Sequence, residues 1–69
     1  MATRINGTSG NDNLAGTSGN DVIRGRAGDD VISGNGGNDH IGGGRGNDSI
    51  FAGDGNDWVN GGRGDDSID

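Results

Sequence analysis

A single bulky aliphatic residue recurs at every ninth position of this chain: Ile5, Leu14, Ile23, Ile32, Ile41, Ile50, Val59 and Ile68. The stretches between are almost wholly Gly, Asn, Asp, Ser and Thr. A period of nine is neither the 3.6-residue period of a helix nor the plain alternation of a long strand. From Gly7 the chain divides without insertion into seven units: GTSGNDNLA, GTSGNDVIR, GRAGDDVIS, GNGGNDHIG, GGRGNDSIF, AGDGNDWVN and GGRGDDSID. In each unit the first six residues read as a turn. The last three read as a very short strand whose central aliphatic points inward. Two units then make one flattened coil of 18 residues, with a turn at each edge and a strand on each face. Coils stacked at about 4.8 Å pair their strands in parallel and bring the aliphatics into one file. The predicted fold is all-β: a right-handed parallel β-roll, a β-solenoid of just under four coils. It forms a single domain over 1–69, with 1–6 as a partial leading repeat and 7–69 as seven full repeats.

Two further columns are nearly invariant. Asp fills the sixth place of every unit: Asp12, Asp21, Asp30, Asp39, Asp48, Asp57 and Asp66. Gly fills the fourth place of every unit and the first place of all but one, where Ala52 stands. Asn or Asp at every fifth place, from Asn11 to Asp65, fits turn positions that tolerate left-handed backbone.

Composition sharpens the picture. Only 25% of the residues are hydrophobic, and eighteen glycines make ordering the chain entropically expensive. By composition alone this is a disordered polar chain. The regular file of eight aliphatics is too thin to complete the fold without help. Cys is absent, which removes disulfides and thiolate zinc sites. The formal charge is −6, and every acidic residue is Asp. That balance argues against nucleic acid, which requires a basic face, and suits a hard cation with oxygen ligands. No apolar run is long enough for a membrane span, and the start, Met1-Ala2-Thr3-Arg4-Ile5, is not a signal-peptide core.

In the coil model Asp12, Asp30, Asp48 and Asp66 line one edge and Asp21, Asp39 and Asp57 the other. Carboxylates about 5 Å apart repel by a few kcal/mol at an effective dielectric near 20. Stacking is therefore opposed unless a cation sits between successive rungs. Each Asp has two oxygens, enough to serve an ion above and an ion below, and the Gly-rich turn lets main-chain carbonyls tip inward to fill the coordination.

The units resemble the repeats-in-toxin (RTX) nonapeptide, G-G-x-G-x-D-x-U-x, a known Ca²⁺-binding solenoid repeat. The unit Gly43-Gly44-Arg45-Gly46-Asn47-Asp48-Ser49-Ile50-Phe51 matches it at every fixed place, and the resemblance covers 7–69. It implies that each Ca²⁺ lies between units i and i+2. Places two, four and six come from one unit, and places one, three and six from the other, with only the Asp acting through side chains. The implied sets are Thr8, Gly10 and Asp12 with Gly25, Ala27 and Asp30, then Thr17, Gly19 and Asp21 with Gly34, Gly36 and Asp39. Arg26, Gly28 and Asp30 follow with Gly43, Arg45 and Asp48. Asn35, Gly37 and Asp39 then face Ala52, Asp54 and Asp57, and Gly44, Gly46 and Asp48 face Gly61, Arg63 and Asp66. The second place departs from Gly at Thr8, Thr17, Arg26 and Asn35, and β-branched Thr is disfavoured in left-handed backbone. The N-terminal sites are accordingly expected to be the poorest. Thr3 stands where the leading partial unit would need Asp, so no site is expected there.

Other readings are weaker. A structureless Gly/Asp/Asn tract does not keep an unbroken register. Collagen lacks the Pro, an EF-hand lacks the Glu, and a phosphate-cradling loop lacks a following helix. His40, the only general-base candidate, falls on an outward strand position with no fixed partner, so the chain reads as a non-enzyme. Val22, His40 and Trp58 fall one coil apart as an outward column, with Val31 and Phe51 outward on the opposite face. Arg63-Gly64-Asp65 spells an adhesion tripeptide, and Asn6-Gly7-Thr8 and Asn47-Asp48-Ser49 spell glycosylation sequons, all produced by the register itself. The expected function is a secreted, extracellular calcium-binding module, disordered without Ca²⁺ and folding on binding it, that serves as a folding switch or scaffold for a secreted bacterial protein. The alternative is a structural protein stacking end to end into calcium-dependent filaments or a surface layer.

Overall fold

Each aliphatic of the nine-residue column lies within a short strand in the computed structural model, which describes residues 2–69. Met1, the first residue of the leading partial repeat, lies outside the described residues. The strands are β1 (Thr3–Asn6), β2 (Asn13–Ala15), β3 (Asp21–Arg24), β4 (Val31–Ser33), β5 (His40–Gly42), β6 (Ser49–Phe51), β7 (Trp58–Asn60) and β8 (Ser67–Ile68). They are short because the Gly- and Asn-rich segments between them turn the chain back before a longer run can form. Odd-numbered strands form one sheet in the order β1-β3-β5-β7, and even-numbered strands form the other, β2-β4-β6-β8. Every pairing is parallel and joins a residue to the one 18 further on: Ile5 to Ile23, Ile23 to Ile41, and Leu14 to Ile32. The chain is thus a β-solenoid of about four coils. Main-chain bonds run from coil to coil beyond the strands as well, such as Gly25 N–H to the Gly42 carbonyl and Ser49 N–H to the Asp30 carbonyl, both 2.8 Å.

The core is the single inward file. Ile23, Ile32, Ile41 and Ile50 are wholly buried, and Ile5, Leu14, Ala52 and Val59 pack half-buried around them. The outward places carry Val31, Phe51 and Trp58, all exposed. His40 and Trp58 pair across β5 and β7 and meet edge to face, with ring centroids 4.4 Å apart.

One sequence expectation is corrected. The fifth-place residues are not in left-handed backbone; among the described residues the only non-glycines there are Arg26 and Asn35, both at the second place. The fifth place instead supplies a side-chain ladder. Asn11, Asn20, Asp29, Asn38 and Asn47 each accept, through Oδ1, the main-chain N–H of the fifth-place residue one coil later, at 2.7–2.9 Å. Asn and Asp are selected because a short side-chain oxygen reaches the neighbouring rung, satisfying amides that no strand pairs.

Burial differs along the file, and so should sensitivity to truncation. Ile41→Ala removes a wholly buried side chain and is expected to lower unfolding stability in saturating calcium by about 2–5 kcal/mol. Leu14→Ala, at a half-buried rung, should lose clearly less. Denaturant titration followed by Trp58 fluorescence checks this, and equal losses would contradict the single-file core.

Candidate metal sites in the stacked turns

The sixth-place Asp closes each turn and opens the following strand, so stacking at an 18-residue register puts like carboxylates above one another. The hydrogen bonds trace both edges. The Asp12 N–H donates to Asp30 Oδ1, Asp30 to Asp48, and Asp48 to Asp66; on the other edge Asp21 donates to Asp39 and Asp39 to Asp57, all at 2.8–2.9 Å. One oxygen of each of these acceptors is therefore engaged by the main chain of the preceding coil. The other is not: Oδ2 of Asp30, Asp39 and Asp48 is buried with no hydrogen-bond partner among the described residues. These three residues are only 1%, 3% and 1% exposed.

Those orphaned oxygens face main-chain carbonyls. The point where a Cβ would stand on Gly25 lies 2.5 Å from Asp30 Oδ2 and 2.7 Å from the Gly43 carbonyl oxygen. The same pairing recurs at Gly7 (Asp12, Gly25), Gly16 (Asp21, Gly34), Gly34 (Asp39, Ala52) and Gly43 (Asp48, Gly61), with both oxygens within 2.8 Å. Any side chain there would fill the space, which accounts for the first-place glycines. At Gly61 the nearest oxygen to that point is Asp66 Oδ2, at 2.6 Å. Among the described residues no three carboxylate or imidazole side chains converge. A cation held in these turns would need donors from the main chain as well as the carboxylates, a mixture that would suit Ca²⁺.

The remaining predicted ligands sort by place. At the second place Arg26 and Asn35 are left-handed (φ 68° and 65°), as are Gly44, Gly53 and Gly62. The Asn35 side chain donates to the Gly16 carbonyl at 2.7 Å, which helps hold that conformation. Fourth-place Gly28, Gly37 and Gly46 are also left-handed, each directly above the carbonyl of the fourth-place glycine one coil earlier. Third-place Ala27, Gly36, Arg45, Asp54 and Arg63 lie in the bend of the turn. Thr8, Gly10, Thr17 and Gly19 are not left-handed, and the first two turns have a different shape. There the second-place N–H and hydroxyl bond to the sixth-place carboxylate: Thr17 N–H to Asp21 Oδ2 at 2.8 Å, and Thr17 Oγ1 to Asp21 Oδ1 at 2.8 Å. Sequence reasoning missed this closure and the amide-to-Oδ1 bonds. The recurrent Thr-x-x-x-Asp spacing in the first two units is the signal that could have found the closure.

Burial raises the carboxyl pKa of Asp30, Asp39 and Asp48 above the ordinary 3.8, and nearby carboxylates add to it: Asp12 one coil away and the adjacent Asp29 for Asp30, Asp21 and Asp57 for Asp39, Asp30 and Asp66 for Asp48. Main-chain N–H bonds from the preceding coil oppose the rise without cancelling it. Raised native values mean that the ion-free stack holds more protons than the unfolded chain. Its stability is greatest below 3.8 and is lost as pH rises through the raised values. A cation needs the same carboxylates deprotonated. Strand signal in calcium-free buffer should therefore increase on acidification, while the calcium concentration at half-folding should rise as pH falls from neutral. Circular dichroism across this range tests both, and a midpoint independent of pH would contradict carboxylate ligation.

Comparison with curated proteins and with solved structures returns no match. The family model of the RTX calcium-binding nonapeptide repeat, which spans four copies, matches residues 6–41 and again 34–68. It covers the turns whose carboxylates and carbonyls face each other, in the register that the strands adopt. Across these residues the chain belongs to the family of RTX calcium-binding nonapeptide repeats.

Proposed function

We propose that this chain is a calcium-dependent folding module of a secreted bacterial protein: largely unfolded without the ion, ordered by it in the extracellular medium, and acting as a switch or scaffold for what it is joined to. The observation that carries this is the orphaned Oδ2 of Asp30, Asp39 and Asp48, three buried carboxylates with raised pKa whose second oxygen has no hydrogen-bond partner among the described residues. Leaving a buried charge uncompensated costs several kcal/mol, enough to offset the modest stability of a small domain. Ca²⁺ bound between units i and i+2 would neutralise the Asp columns, with the facing carbonyls completing its shell. RTX repeats are typical of secreted bacterial proteins, and extracellular calcium is abundant enough for weak sites. No catalytic role is proposed: His40 packs against Trp58 rather than beside a nucleophile.

A second reading is favoured by one observation. Ile68, an aliphatic of the inward column, is 53% exposed. That surface would accept another coil, from a longer chain or from a second copy stacking end to end. Sedimentation at saturating calcium should then show association that a chelator reverses; a monomer at every concentration removes the end-to-end reading.

The main proposal is tested by circular dichroism on titration. Calcium should bring in strand signal cooperatively, and Mg²⁺ should not, because it demands tighter octahedral geometry and sheds water reluctantly. Asp48→Ala and Asp39→Ala, which remove buried, orphaned carboxylates, should raise the calcium midpoint about tenfold or more, as expected for a loss near 1.4 kcal/mol. Asp12→Ala should raise it far less. Strand structure that persists in excess chelator would sink the proposal.

A further inference from the structure

The sixth-place carboxylates fall into two classes that burial does not explain. Asp21 is 1% exposed, as is Asp30. Yet both oxygens of Asp21 accept hydrogen bonds within its own turn, whereas Asp30 Oδ2 has none. Asp12 behaves like Asp21: it accepts from Thr8 N–H at 2.6 Å and from Thr8 Oγ1 at 2.9 Å. In both turns the Thr oxygen also accepts the fourth-place N–H, from Gly10 and Gly19, at 3.1 Å.

What separates the classes is the residue at the second place. Where it is Arg26, Asn35 or Gly44 the backbone is left-handed, and no N–H reaches Oδ2 of the same unit. Where it is Thr, the hydroxyl donates to the carboxylate and accepts the fourth-place N–H, which holds the turn out of that conformation. The turn then keeps its amide and hydroxyl on the carboxylate, the position a cation would take. An N–H aimed at the carboxylate presents a partial positive charge to any incoming ion. The hydrogen bonds also satisfy the oxygens that make the other turns need one.

We infer that Thr8 and Thr17 close the first two turns in place of calcium, so that the chain takes three ions rather than the five its repeat number allows. This inference rests on the calcium reading above. The first coil is then an ion-independent cap, and the three orphaned carboxylates mark the turns that bind. The device is encoded at one place in the repeat: Thr where the family pattern has Gly. Replacing Thr8 and Thr17 by Gly restores that pattern, since Gly10 and Gly19 already stand at the fourth place.

The experiment is calcium stoichiometry of the whole chain by isothermal titration, cross-checked against a chromophoric chelator. The parent should bind three ions per chain. Thr8→Gly/Thr17→Gly should bind five, and Thr8→Ser/Thr17→Ser, which keeps the hydroxyl and the amide, should stay at three. A parent that binds more than three, or a glycine variant that folds and still binds three, overturns the inference while leaving the calcium reading standing. A parent that binds no calcium removes that reading itself. Should the glycine variant fail to fold, the parent and serine counts decide: three in both supports the closure, and more than three in either refutes it.

Discussion

The constraint on which the rest of this structure depends is the stacking of ionisable carboxylates in a nearly dry, parallel register. An 18-residue coil places Asp12, Asp30, Asp48 and Asp66 in one column and Asp21, Asp39 and Asp57 in another. The same register buries Ile23, Ile32, Ile41 and Ile50. A chain that forms its core therefore also assembles its charge problem, because both columns belong to the same repeat. The hydrogen bonds divide the problem in two. Oδ1 is used by the coil before, which fixes the rotamer, and Oδ2 is thereby aimed at the first-place glycine and the carbonyl of the coil after. The side chain is preorganised by the stack, and the stack needs the side chain neutralised. That reciprocity supports the proposed reading, in which a Gly-rich chain would depend sharply rather than gradually on an ion.

Much of this was legible from spacing. The Ile column, the parallel pairing, the coil length and the Asp edges all follow from an unbroken period, because each repeat meets only its neighbours. The outward places of Val31, Phe51, His40 and Trp58 follow from the same alternation. What was not legible depends on which atom of one coil meets which atom of the next. Asn11 and Asn38 suggested left-handed turn residues by type, yet their side chains reach across coils to pair amides. The left-handed positions fell instead on Arg26 and Asn35, where residue preference alone would place one of the two at most. Thr8 and Thr17 were recognisable as departures from the pattern. That they would convert the turn into one closed by hydrogen bonds required the direction of the Thr17 N–H relative to Asp21, which no column of the repeat encodes.

The two ends of the stack differ in kind. The first two turns are closed by their own Thr hydroxyls and amides, while Ile68 in the last strand is exposed.

The central claim, that neutralising the Asp columns is what makes the chain compact, is tested most directly by small-angle X-ray scattering with and without calcium. The folded chain has a Cα radius of gyration of 10.4 Å. An unfolded chain of this length has about 25 Å. A value near the unfolded one in chelator, collapsing towards the folded one when calcium is added, is the predicted result; a compact particle of unchanged radius in chelator would contradict it.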